Sequence, residues 1–197
     1  MCNLSSSSAL RNRHVLMDEA QIIDALRSGD LERQAPALDE ALRVVKALIS
    51  ESVRTLADAK AAFPIAAKIF KFGPLVIPML EDLLKQPMSE DARDHTAALL
   101  VELGSTTGVP HLLSLLERRN RDFVMAALVL GKARVQEAAP LIRGVLEQWD
   151  CASDPYSATT LVDALKKVDS IPDSLKDSLR QRWPRQMYAG LEELLQG

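Results

Sequence analysis

The groups with chemistry to offer in this sequence are three histidines, two cysteines, and a few carboxylate and arginine clusters. His95 stands beside Asp91 and Asp94, and an imidazole with two carboxylates is the beginning of a metal site. A zinc centre needs a third or fourth converging ligand. Neither an HExxH stretch nor a cysteine pair occurs to supply it. His95 therefore reads as a surface histidine, and no metal is expected. His111 follows Pro110 in a first helical turn and reads as half-buried packing, while His14 lies near the N-terminus. Cys2 and Cys151 form no disulfide framework and read as two free thiols of a reducing cytoplasm. The serine run Ser5–Ser8 lacks a nucleophile-elbow context, and no glycine-rich phosphate loop is present. Carboxylate pairs such as Glu81-Asp82, Glu90-Asp91 and Glu192-Glu193 fall at helix starts or on exposed faces, where acids complement the helix dipole. These readings predict a chain that is not an enzyme and needs no cofactor. Two basic clusters remain: Arg118, Arg119 and Arg121, then Arg180, Arg182 and Arg185. Either has the chemistry to touch phosphate or an acidic partner.

Composition narrows the frame around these groups. The chain has 197 residues, of which 24 are basic and 27 acidic, so the net charge of −3 exerts no global pull on nucleic acid or anionic membrane. Apolar residues reach 47%, enough to exclude general disorder. Aromatics are 4%, so the core must be aliphatic. No apolar run approaches the ~18 residues that span a bilayer. The opening MCNLSSSSALRNRH has no apolar h-region and is not a signal peptide. Residues 1–17 read as a disordered tail, with Met17 an alternative start, and the protein is expected in the cytoplasm.

The elements that must position any site are helices. Sustained apolar/polar alternation and Asn-Gly or Asp-Gly hairpin turns are absent, whereas helical periodicity runs almost throughout. Asp18-Glu19-Ala20-Gln21 opens a short helix closed by Ser28-Gly29-Asp30. Pro36 is expected to start a long amphipathic helix with the stripe Leu38, Leu42, Val45, Leu48, Ile49, Val53, Leu56. Pro64 opens a shorter segment ending near Phe72-Gly73-Pro74.

From residue 75 the chain repeats. VIPMLEDLLK, GVPHLLSLLE and AAPLIRGVLE place Pro78, Pro110 and Pro140 in register, where proline suits a first helical turn. The columns are Leu80, Leu112, Ile142; Leu83, Leu115, Val145; and Leu84, Leu116, Leu146. Each such helix is followed by a second. The first two of these end in Leu103-Gly104 and Leu130-Gly131, with glycine expected at the left-handed C′ position. The third ends at Val168-Asp169. A helix from Asp173, a break at Trp183-Pro184 and a last helix with Tyr188, Leu191, Leu194 and Leu195 form a C-terminal cap.

A helix pair every ~31 residues, stacked three times, is the signature of an α-solenoid rather than a four-helix bundle. Gly108-Val109-Pro110-His111-Leu112-Leu113 with Leu115-Leu116, then Ala126-Ala127-Leu128 with Leu130-Gly131, and Arg93 with Ala97, Ala98 and Leu100, carry a resemblance to HEAT repeats. The resemblance is greater to the short HEAT-like repeats of phycobilisome lyases, and it is clear over residues 75–168. It implies an all-α, right-handed solenoid of stacked antiparallel helix pairs with helical caps. A single domain over 18–197 would hold degenerate repeats or a cap at 18–72, three clear repeats at 75–168 and the cap at 173–196.

The resemblance also implies that the second helices line a concave surface. Aligning their ends at Gly104 and Gly131 puts four rows outward: Asp91, Arg118, Tyr156; His95, Asp122, Thr160; Ala98, Met125, Asp163; and Glu102, Val129, Lys167. Arg121 adjoins them. Met125 and Val129 would form an apolar centre in a polar rim, the layout of an interaction hot spot. The function expected is non-catalytic binding of one protein partner. The concrete case is an immunity-type protein that neutralises a cognate toxin, an analogy at the level of fold. An adaptor or assembly factor is the alternative. A lyase would need a reactive groove residue. A DNA-binding protein of the helical-repeat glycosylase type would need a basic face with aromatics, against which the acidic balance argues.

Overall fold

The computed structural model describes residues 17–55, 69–119 and 122–196, the side chains of 46 and 48–55 excepted. Residues 1–16, the start of the Pro64 segment and Arg121 lie outside them. Among the described residues all regular structure is helical, and no helix is long and apolar enough to cross a membrane. The chain divides into two compact units, residues 1–44 and 45–197.

In the first unit, α1 (Glu19–Arg27) is set by a capping box. The Asp18 carboxylate accepts from the Gln21 amide at 2.9 Å, and the Gln21 side chain accepts from the Asp18 amide at 3.0 Å. Ile22 and Leu26 are buried, and Ile23 is half-buried. The helix α2 (Leu31–Thr55), which the unit boundary after Val44 divides, begins before Pro36, not at it. Gly29, at φ +72°, turns the chain, and the Asp30 carboxylate accepts from the Glu32 amide, so the helix is already under way when Pro36 arrives. Its buried stripe is Ala37, Ala41 and Val45. Val45 is buried as expected, but Leu38 is 39% exposed and Leu42 only half-buried, so the stripe starts through Ala37 and Ala41 in their place.

The second unit holds α3 (Ile77–Leu84), α4 (Glu90–Glu102), α5 (Val109–Arg118), α6 (Phe123–Lys132), α7 (Ala139–Gln148), α8 (Pro155–Val168), α9 (Asp173–Arg182) and α10 (Tyr188–Gln196). Pro78, Pro110 and Pro140 each occupy the first turn of α3, α5 and α7, where no amide is needed. They are exposed, while Val76, Gly108 and Ala138 two residues earlier are buried. Leu80, Leu112 and Ile142 are fully buried, and Leu84, Leu116 and Leu146 nearly so. From α3 to α8, each odd-numbered helix packs on the one that follows it. Helices two apart pack as well: α4 on α6, α6 on α8, α8 on α10, and α5 on α7, with α6 against α8 the most extensive.

The ends of the second helices correct the expected register. After α4, the Gly104 amide donates to the Val101 carbonyl and the Ser105 amide to that of Leu100, with Gly104 at φ +96°. This is a Schellman motif with glycine at C′. After α6, the same two bonds run from Arg134 to Gly131 and from Val135 to Leu130, and the left-handed residue is Arg134 at φ +56°. Gly131 is inside α6 and buried. Its role is close approach. A Cβ there would lie 2.8 Å from the Cα of Ala164 on α8. Gly104 thus aligns with Arg134, three residues beyond the expected match.

A non-glycine residue in this conformation carries roughly 1 kcal/mol of strain. Arg134 is exposed. Arg134→Gly is therefore expected to raise the melting temperature by about 2–4 °C, read by circular dichroism or calorimetry.

Candidate functional site

The corrected register redraws the face left open by the second helices. Phe123, Ala126, Ala127 and Leu130 of α6 are buried, and so are Ala158, Leu161, Val162 and Leu165 of α8 at the same spacing. The rows that result are Asp91 and Tyr156; His95, Met125, Thr160; Ala98, Leu128, Asp163; and Glu102, Lys132, Lys167. Lys132 takes the place expected of Val129, and Leu128 that of Met125.

Three expectations fall with the old register. Val129 is 3% exposed and belongs to the core, because α4 and α6 pack against one another across it. Ala98 keeps its place in the rows but is buried, covered by the same α4–α6 contact. Arg118 is not on a second helix at all, being the last residue of α5. The apolar centre expected of Met125 and Val129 is instead Met125 with Leu128, both half-buried on α6. Met125 packs on the core at its inner side.

The other residues sit as follows. Asp91 is exposed, and its carbonyl accepts a bond from Nδ1 of the partly buried His95 at 2.8 Å. Asp122 is half-buried at the start of α6. Tyr156 is 77% exposed at the start of α8. One turn on, the Thr160 hydroxyl donates to the Tyr156 carbonyl at 3.1 Å. Asp163 and Lys167 form an ion pair at 2.6 Å, and Glu102 pairs with Lys132 at 3.2 Å across α4 and α6. Among the described residues no group of three His, Cys, Asp or Glu is placed to hold a metal ion. Burial pushes the Cys151 thiol up, away from the reactive thiolate.

Four of the six clustered arginines are used internally. Arg118 bridges Glu90 and Asp94 on α4. Arg119 donates to the Gln148 side chain at 2.6 Å and the Gly144 carbonyl at 3.3 Å, tying α5 to α7. Arg180 is paired with Asp177 and Glu192. Arg182 donates to the carbonyls of Trp149 and Leu146 at 2.8 and 3.0 Å.

Sequence reasoning named Asp94 only as a neighbour of His95 and missed its burial: the carboxylate is 2% exposed on the inner side of α4. Burial first, then the neighbouring Asp122 and Asp91, push its pKa up, and the Arg118 contact at 3.4 Å is long. A raised folded-state pKa contributes stability that is complete below the unfolded value near ~4 and is lost as pH rises through the folded value. Asp94→Asn removes that loss. The melting temperature of Asp94→Asn relative to the native chain is expected to climb between pH 4 and pH 7. A difference that shrinks over that range would mark Asp94 and Arg118 as a net stabilising pair.

Two depressions flank this region. One, of about 380 Å³, is lined by Phe70, Val101, Glu102, Val129, Lys132 and Ala133. The other, of about 540 Å³, lies at the first turns of α4 and includes Asp94, Arg93 and His111. The signal for the second was present in His111, a polar residue on an otherwise apolar stretch, whereas Arg93 stands among Asp91, Asp94 and His95 and carries no such signal. No family model matches this chain, and neither a curated protein nor a solved structure matches it at significant similarity.

Proposed function

We propose that residues 75–196 form a right-handed solenoid of HEAT-like repeats, and that the chain is a cytoplasmic, non-catalytic module binding one protein partner. The most concrete form is an immunity-type protein that neutralises a cognate toxin, by analogy of fold. Two features support the repeat reading. Helices two apart pack in order, and a ladder of side-chain bonds joins residues 24–36 apart, from Ser105–Glu81 to Arg182–Leu146. Such nearest-neighbour stitching is what a one-dimensional stack requires.

The observation that carries the binding reading is Tyr156. A tyrosine 77% exposed has its ring in water, with half-buried Met125 and Leu128 in the adjoining rows and the charged pairs Asp163–Lys167 and Glu102–Lys132 around them. Tyrosine anchors inside a polar rim dominate protein–protein interfaces. Internal pairing of Arg118, Arg119, Arg180 and Arg182 weighs against a nucleic-acid reading, since these guanidinium groups already have partners.

The test is affinity capture from the native lysate at low and high salt with the native chain, Tyr156→Ala and Met125→Arg, followed by titration of the captured protein. One near-stoichiometric partner is expected to survive high salt. Its affinity should fall at least ~30-fold with Tyr156→Ala, the effect of an interface hot spot of ~2 kcal/mol. Melting temperature guards against loss of fold, and Tyr156, being exposed, should leave it unchanged. Several weaker partners would favour the adaptor alternative. Equal capture by all three chains would overturn the proposed face.

A further inference from the structure

The groove of about 540 Å³ opens between the turn after α3, the first turns of α4 and one side of α5. Its charged lining falls into two sets. Glu90, Asp94 and Arg118 are joined in one ion-pair network, and Lys85 is paired with Asp82. Arg93 and His111 are half-buried, and neither makes a hydrogen bond or ion pair with a described residue. A guanidinium brings five donors, and an imidazolium two. Both are thus partly withdrawn from water with no hydrogen-bond acceptor among the described residues, and the Arg93 charge is felt by the neighbouring Asp94. Ser114 lies one turn along α5 from His111 and adds an exposed hydroxyl to the same wall.

We infer that this groove binds a carboxylate, gripped by Arg93 from α4 and His111 from α5. A planar carboxylate matches the guanidinium fork in a bidentate pair. Phosphate, carrying close to two charges, would meet Glu90 and Asp94 in the same lining. Asp94 is already held toward its neutral form by burial and by Asp122 and Asp91, so the groove tolerates added negative charge poorly. Leu84 and Pro87 offer an apolar wall for the stem that bears the carboxylate. That carboxylate belongs either to a small free acid or to a glutamate or aspartate side chain of a bound peptide. The site uses α3, α4 and α5 and does not depend on the Tyr156 face.

The experiment is an NMR titration of the full chain with acetate, with the blocked peptide acetyl-Ala-Glu-Ala-amide, and with inorganic phosphate. Both carboxylate probes are expected to shift the Arg93 and His111 side-chain signals saturably, with Kd on the order of millimolar. Arg93→Gln and His111→Gln should each weaken binding at least fivefold. A peptide that binds more tightly than acetate assigns the source to a peptide, and equal affinity assigns it to a free acid. Absence of saturable shifts, tighter binding of phosphate than of either carboxylate, or shifts that survive both substitutions would overturn the inference. The comparison of the carboxylate probes with phosphate needs no variant, so it decides the matter even where a substitution fails to fold.

Discussion

Gly108→Ala is expected to lower the melting temperature by roughly 6–12 °C, while Gly144→Ala raises it by a few degrees. The same methyl group acts in opposite directions because of what it meets. At Gly108 a Cβ would lie 2.2 Å from the backbone oxygen of Ala97 and 3.0 Å from the Val101 side chain. A main-chain atom of a packed helix cannot swing aside, so α5 must move off α4 by about an ångström. Overpacking of this kind destabilises by about 1–3 kcal/mol, and the upper end applies where backbone meets backbone. The backbone of Gly108 has φ −77°, so space and not conformation is what glycine supplies there. Gly131→Ala should fall between the two extremes. Its Cβ would sit 2.8 Å from the Ala164 Cα, and the roughly 1 kcal/mol that alanine gains over glycine inside a helix offsets part of the clash. At Gly144 the nearest atom is the end of Arg119, 3.8 Å away, so only the helix-propensity gain remains. Thermal melts of the three variants check the order. A tolerated Gly108→Ala would mean that α4 and α5 are not in the close contact described.

The all-helical class and the spacing of the first helices were legible because proline at a first turn is a rare, position-specific signal. Pro78, Pro110 and Pro140 each sit where the pattern puts them. The second helices misled because glycine has two uses. At Gly104 it supplies a left-handed backbone, and at Gly131 it supplies room beside Ala164. A sequence shows the glycine and not the reason for it. The left-handed position after α6 is filled instead by Arg134, which no pattern flags. A three-residue error on a helix turns the face by most of a revolution less a small remainder. Met125 therefore stayed half-open on α6, while Val129 moved into the core and Leu128 and Lys132 came out in its place. The Pro36 error is of the same type: proline signals a start, but Gly29 and Asp30 have already begun the helix. Buried Asp94 was illegible because its neighbour Asp91 does face outward, and only the packing of α5 on α4 separates the two.

Arg182→Met is expected to destabilise the chain by about 3 kcal/mol, although the residue belongs to a cluster that invites a phosphate reading. Its guanidinium reaches from α9 to the end of α7, donating to the carbonyls of Trp149 at 2.8 Å and Leu146 at 3.0 Å, and to that of Ser178 at 3.2 Å within α9. The Leu146 carbonyl already meets the Trp149 amide, but at 3.4 Å, so a cation at this helix end adds a shorter bond and complements the dipole together. Charge-assisted bonds contribute about 1.5–3 kcal/mol each before non-additivity, and Arg182 is only half-buried, so three of them sum to less than their total. Methionine keeps the stem and removes every donor. Lysine restores the charge but lacks the fork, and should recover less than half of the loss. The rest of the junction is apolar packing, through Leu175, Leu179 and Trp183 buried in the core. Trp149 leaves α7 in an extended conformation, its ring lies 5.2 Å from Phe123, and its Nε1 donates to the Asp154 carbonyl at 3.2 Å. Loss of Arg182 should therefore free the C-terminal helices α9 and α10 before the repeats behind them. Hydrogen exchange is expected to quicken in α9 and α10 first while α6 and α8 stay protected. A variant with an unchanged melt and an acquired defect in nucleic-acid binding would reverse this account and return the cluster to phosphate.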